Sequence, residues 1–311
     1  MITTLTMNPT LDMTLTVRDF VPDDSNRVLA VQKDPGGKGV NVSRILTKLG
    51  LRVTTITLLG GHTGEEVSDL LRKERIHPFI IPLQNETRTN ITITKQDNFA
   101  QTRFNQEGPF IDADEYDNLL SLVEQLSVNA DVFVISGSLL PGVPVTAYRE
   151  IINHLKIINP KLKIILDSDG DAYQYGIQAG PYMVKPNIHE AERLLGRSLN
   201  SQEELVQAMK DIHALGVELV VMSRGKEGLI AYDGKQMLAV DSLPVHVRST
   251  VGAGDSLIAG ICYMLERTDS LKEILSFATK VSAAKVMQTG TAVFGWDEIK
   301  AISLEPVVRE L

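Results

Sequence analysis

Cysteine and tryptophan are the scarcest residues: each occurs once among 311, as Cys262 and Trp296. A single cysteine excludes an internal disulfide framework, so the fold must rest on packing. Basic side chains are also short, with 31 lysines and arginines against 39 acidic residues and a formal net charge of -8. That balance is a poor fit to general attraction to nucleic acid or to an anionic membrane, and any bound anion needs a local site. No apolar run approaches the roughly 20 residues that cross a bilayer. The opening residues, MITTLTMNPTLD, carry neither a basic region nor a signal-peptide apolar block. The expected setting is reducing and cytoplasmic, without nucleic-acid or membrane partners. His62, His77, His154, His189, His213 and His246 show no H-E-x-x-H or comparable spacing, which argues against zinc. The motif G-x-x-x-x-G-K-[ST], the third glycine of G-x-G-x-x-G, and the linked His-Arg-Asp and Asp-Phe-Gly signatures are missing as well.

What is present is enough apolar sequence, 43%, for one large α/β core or two ordinary domains. Strand-like runs at 2–7, 53–60, 131–137, 163–168, 182–185 and 218–223 are mostly continuously apolar, as strands buried on both faces should be. Between them, helical spacing of apolar residues marks 40–49, 65–76, 116–126 and 203–215. This alternation predicts a parallel sheet covered by helices. Four further stretches, at 14–20, 27–34, 87–95 and 100–105, alternate polar and apolar residues instead. They read as half-exposed antiparallel strands, forming either a small second sheet over a cleft or edge strands of the main sheet.

Candidate chemistry begins with RSTVGAGDSLIAG, residues 248–260. Here Gly252, Ala253 and Gly254 follow an expected strand, VDSLPVHV, and open an apolar helix. The start of a helix leaves N–H groups unpaired and favours anions, phosphate above all. Asp255 beside that cradle is either a helix cap or a proton acceptor for an attacking hydroxyl. A second cradle, DPGGKGVNVSR, places Gly36, Gly37 and Gly39 around Lys38. In VKPNIHEAERL, Lys185 ends a strand, while Asn187 and Glu190 lie one helical turn apart and could hold a hydrated magnesium ion. In SRGKEG, Ser223, Gly225 and Gly228 form a turn that could follow phosphates. The alternatives are ordinary turns, an N-cap with a surface glutamate, and a solvated lysine. In ISGSLLPG, Ser138 could contact a substrate or shape its loop, and Cys262 reads as a buried small hydrophobe.

In order, M-N-P-x-x-D, G-G-K-G-x-N-V, N-x-x-E, S-x-G-x-x-G and T-V-G-A-G-D resemble the phosphofructokinase-B family of ribokinase-like carbohydrate kinases over nearly the whole chain. GGKGVNVSR, ISGSLLPG and MNPTLD look most like bacterial 1-phosphofructokinases and tagatose-6-phosphate kinases. The resemblance implies a doubly wound, mostly parallel α/β domain spanning 1–311, with a discontinuous β lid from about 12–34 and 86–108 that commonly pairs two subunits. It implies ATP and Mg2+ as cosubstrate and cofactor, a ketohexose monophosphate as acceptor, and a homodimer. Asp255 would be the base, with Gly252, Ala253 and Gly254 as the anion hole. Asp12, Gly37 and Asn41 would meet the sugar, and Lys38, Arg88 and Arg103 its phosphate. Lys185 and the 223–228 turn would contact the nucleotide phosphates, and Asn187 and Glu190 the metal. Fructose 1-phosphate leads as acceptor, ahead of tagatose 6-phosphate and fructose 6-phosphate, and a catalytically silent nucleotide-binding regulator is the rival of a different class.

Overall fold

The computed structural model describes residues 1–96 and 101–311. Its main sheet has ten strands: β1 (Ile2–Thr6), β4 (Val53–Gly60), β5 (Phe79–Leu83), β8 (Val132–Ser136), β9 (Lys163–Asp167), β10 (Met183–Val184), β11 (Leu219–Ser223), β12 (Leu229–Tyr232), β13 (Met237–Val240) and β14 (Val308–Glu310). Their spatial order is β14-β13-β12-β11-β10-β9-β8-β1-β4-β5. From β11 to β5 all neighbours are parallel, whereas β12, β13 and β14 extend one edge antiparallel.

Alternation within buried strands builds a core on each face. On β8, Phe133 and Ile135 pack on one side, towards helices α3 (Ala113–Ser127), α4 (Ala147–Ile158), α5 (Gly170–Ile177) and α7 (Gln202–His213). Val132 and Val134 face the other side, with α1 (Lys38–Lys48), α8 (Ala253–Leu265) and α9 (Leu271–Val286). Cys262 is buried in that second core, as its apolar surroundings required. Strand order reverses at β1, which lies between β8 and β4, and such a reversal opens a crevice at the carboxyl ends of the strands.

The alternating segments form a separate four-stranded sheet, β3-β2-β6-β7, from β2 (Thr10–Val17), β3 (Val28–Gly36), β6 (Arg88–Lys95) and β7 (Gln101–Phe104). They are not edge strands of the main sheet. Cross-strand register sorts their residues by face. Asp12 pairs with Asp34 and Asn90, while Thr14 pairs with Gln32 and Thr92, and Thr92 pairs with Arg103. These polar residues share one side. Met13, Leu15, Ile91, Ile93, Val31 and Phe104 share the other.

One expected element is absent. VDSLPVHV contributes only Val240 to a strand, and residues 241–247 carry no regular structure. Pro244 cannot donate to a ladder, and Val247 is left 54% exposed, so the segment has neither the hydrogen bonds nor the burial of a strand. The helix start that this segment feeds forms as expected, as α8.

Candidate active site

Carboxyl ends of the parallel strands gather most of the expected site. Ser138 follows β8, Lys185 follows β10, and Ser223 ends β11, while Asp12 stands on β2 of the smaller sheet. Asp167, the last residue of β9, joins them although its strand, KIILDS, carried no motif.

At the centre, Asp255 lies in the first turn of α8 and is 8% exposed. Asn41 Nδ2 donates to its Oδ2 at 2.8 Å. Asp167, 2% exposed, accepts from Lys38 Nζ at 3.2 Å, and Lys185 Nζ lies 3.6 Å from the same oxygen. Two ammonium groups therefore converge on the buried Asp167 carboxylate, Lys185 buried and Lys38 about a third exposed. Burial and the Asp167 charge push the Asp255 carboxyl above its ordinary pKa, against Asn41, Lys38 and Lys185, which pull it down. For Asp167 burial acts in the same upward sense, but Lys185 and Lys38 outweigh it and hold the group below the usual carboxylate value. Burial alone would lower Lys38, yet Asp167, Asp255 and Glu190 raise it overall.

The cradle has a specific shape. Gly252 is the N-cap of α8 and adopts the left-handed conformation, φ 75°. A Cβ on Gly254 would stand 3.0 Å from Lys185 Nζ, so the missing side chain lets that ammonium lie close against the helix start. The Ala253 N–H is committed to Thr250 O at 3.3 Å, which removes one expected donor from the anion hole. Gly254 and Asp255, in the first turn, keep N–H groups without intrahelical acceptors.

Neighbouring elements bring in the remaining candidates. Asn187 and Glu190 form a reciprocal capping box on α6 (Ile188–Leu195): Glu190 N donates to Asn187 Oδ1 at 2.9 Å, and Asn187 N to Glu190 Oε2 at 2.8 Å. Ser223 pairs across to Asn187 in an isolated parallel bridge, and Ser223 N donates to Pro186 O at 2.9 Å. The Ser223–Gly228 turn, a 3-10 turn over Gly225–Glu227, thus adjoins the start of α6. Gly37, with φ 113°, caps α1 and presents Lys38.

On the smaller sheet, Asn90 Nδ2 donates to Asp12 Oδ1 at 3.3 Å. Burial lifts the Asp12 carboxyl to about 6, with Asp34 adding to the rise and Asn90 and Arg88 opposing it. Arg88 spends three of its N–H groups on carbonyls, from Nε to Pro9 (3.3 Å), Nη1 to Gln106 (2.9 Å) and Nη2 to Asn8 (2.8 Å). It therefore shapes the loops at the cleft mouth, with two N–H bonds to spare. Arg103 is exposed, donates to Gln101 at 2.8 Å, and lies one row beyond Asp12 on the same face. Ser138 Oγ accepts from Asn8 Nδ2 at 3.1 Å, which ties it to that loop and leaves its own O–H as a donor.

Sequence reasoning missed Asp167 and the buried Arg44. Arg44 is 1% exposed and donates to Glu74 (2.6 and 2.8 Å), Asp34 (3.3 Å), Pro35 O and Thr291 O (both 3.1 Å). The position of Asp167 at the carboxyl end of a buried strand was the available signal. Among the described residues no group of three histidine, cysteine, aspartate or glutamate side chains forms a metal cage. The second Glu190 oxygen, whose charge acts on Lys38, suits an ion that keeps much of its water and arrives on a nucleotide. No helix is long and apolar enough to cross a membrane, among the described residues.

The sequence profile of the pfkB family carbohydrate kinases matches residues 5–298. The 1-phosphofructokinase of Borreliella burgdorferi is 32% identical over 295 residues, covering 94% of each chain. ATP-dependent 6-phosphofructokinase isozyme 2 of Escherichia coli is 31% identical over 301 residues, 96% of each. Phosphofructokinase-2 from Escherichia coli, solved in complex with substrates and products, superposes with a TM-score of 0.91 at 31% identity over 97% of each chain.

Proposed function

The chain belongs to the pfkB family of carbohydrate kinases, and on that footing we propose that it transfers the γ-phosphoryl group of ATP to fructose 1-phosphate, giving fructose 1,6-bisphosphate. One observation carries the reading: a buried carboxylate, Asp255, held by Asn41 at the amide-rich start of α8, with the Lys185 ammonium against the neighbouring Gly254.

Asp255 takes the proton of the acceptor hydroxyl as the oxygen attacks phosphorus. Its raised pKa makes it a better proton acceptor than an exposed aspartate, and Asn41 fixes which oxygen points at the hydroxyl. The amides of Gly252, Gly254 and Asp255, with Lys185 against Gly254, stabilise charge on the transferred group. Lys38, amid Asp167, Asp255 and Glu190, neutralises phosphate at the same point, so the sugar monoester falls to the spare donors of Arg88 and to Arg103. Asp12 and the backbone at Gly37 bind sugar hydroxyls. The Ser223–Gly228 turn follows the nucleotide phosphates. Magnesium would be held by Glu190 and Asn187 through water and would supply charge neutralisation on the nucleotide. The smaller sheet closes over the cleft and excludes water. Its apolar outer face, with Val31 56% and Phe104 53% exposed, suits a second copy of the chain.

Fructose 6-phosphate is the rival acceptor, since similarity to the two named kinases is nearly equal. ADP release measured with fructose 1-phosphate, fructose 6-phosphate, tagatose 6-phosphate and free ketoses ranks the acceptors by kcat/KM. The expected order has fructose 1-phosphate first. Release with none of them would leave the regulator reading standing instead.

A further inference from the structure

Lys285, in the last turn of α9, is 3% exposed and has no part in the chemistry above. Its Nζ donates to Gly290 O at 2.8 Å and Ala292 O at 2.9 Å. The carbonyl between them, on Thr291, accepts from Arg44 Nη1 at 3.1 Å, and Thr291 Oγ1 donates to Asp34 Oδ2 at 2.9 Å. Three successive carbonyls thus end on two buried cations, and the turn they belong to is anchored to the root of β3.

The other side of Lys285 touches the cradle. A Cβ on Gly252 would come within 3.1 Å of Lys285 Cε, so the lysine stem lies directly on the N-cap of α8. α9 grips the same region elsewhere. Arg248 N and Ser249 N donate to Val286 O (2.7 and 3.2 Å), and Ser282 Oγ donates to Ala253 O at 3.1 Å. Burial and Arg44 lower the Lys285 pKa to about 8, opposed by Asp34 and Asp255, so the amine is mostly protonated at neutral pH.

A buried ammonium is costly, and methionine would fill the same space without that cost. Its charge gains a purpose from its surroundings, because main-chain carbonyls around a dehydrated cation are the ligands that also bind free monovalent ions. We propose that Lys285 is a positioning residue for phosphoryl transfer, whose tethered ammonium locks the 290–292 turn against Gly252 and takes the place of a free monovalent cation. The inference rests on the cradle reading given above.

The unmodified enzyme, assayed with N-methylglucamine as the only monovalent cation, should keep its kcat, and adding potassium or ammonium should change it little. Lys285→Met should lose about 10- to 100-fold in kcat with KM for ATP nearly unchanged, as expected for a misplaced transition-state contact. Lys285→Ala should regain activity with ammonium or potassium but not with N-methylglucamine. Strong potassium dependence of the unmodified enzyme overturns the proposal, even if neither variant folds. So does a folded Lys285→Met with normal kcat, whatever its melting temperature. Asp255→Asn in the same assay reports on the cradle reading separately, since normal turnover there sinks that reading irrespective of Lys285.

Discussion

The two ends of the cleft are built differently. The cradle end sits on the main sheet and on α8, where Ile258, Ala259, Ile261 and Cys262 have no exposure at all. Each fully buried aliphatic side chain there contributes roughly 1.5–3 kcal/mol, so the first turn of α8 is fixed by the core behind it. The opposite end is the smaller sheet, whose strand β6 is half-buried along its full length and whose β7 is mostly exposed. The function proposed above would place chemistry that tolerates little displacement on the first, and recognition of the acceptor on the second. The difference teaches that loss of rate and loss of selectivity should be separable by position.

The sharpest break is expected at the cradle. Asp255→Asn should lower kcat by about 100- to 10,000-fold while the nucleotide dissociation constant, measured by calorimetry, stays nearly constant. An equal loss in both would move Asp255 from base to ligand. Next in size is the joint between the two ends. Arg44→Ala leaves the buried Asp34 and the half-buried Glu74 without their cation and should destabilise the protein by about 3–5 kcal/mol, read from urea unfolding. A loss below that range would mean the smaller sheet is anchored elsewhere.

Effects confined to the smaller sheet should be milder. Asp12 changes from 3.8 to about 6 on folding, so the folded chain holds more protons than the unfolded chain between those values. The contribution of Asp12 to stability therefore falls as pH rises through that window and is level above it, a difference read by comparing Asp12→Asn with the unmodified chain. Because the carboxylate form accepts hydroxyl hydrogens, KM for the sugar phosphate should decrease as pH rises through about 6, and Asp12→Asn should abolish that inflection. Last, Arg103→Ala should raise KM for the phosphorylated acceptor several-fold and leave kcat alone, since an exposed cation contributes about 1 kcal/mol or less.

Legibility followed the same divide. Glycine-rich helix starts are visible because a close anion approach demands small residues, which is why Asp255 and Lys38 could be named from spacing, whereas Lys185 was read from a strand end and Asn41 came with the family resemblance. The alternating strands were visible because one face is polar and the other apolar. Asp167 was not, since a lone carboxylate closing an apolar strand has no local pattern. Arg44 and Lys285 were hidden inside helical stripes, where a cation reads as surface until tertiary contacts supply its carbonyls. Asn187 and Glu190 carry two meanings at one spacing, and the capping box accounts for part of that signal. Pro244 was the clue against a strand at 241–247.

The register of β2 has one further consequence. Side chains on a strand swap sides with every step, so deleting Leu11 would turn Met13 inward and send Asp12 outward. The cleft would then be greased and the outer coat wetted, and on the function proposed above a chain altered by one residue in 311 would forfeit sugar recognition and self-association together.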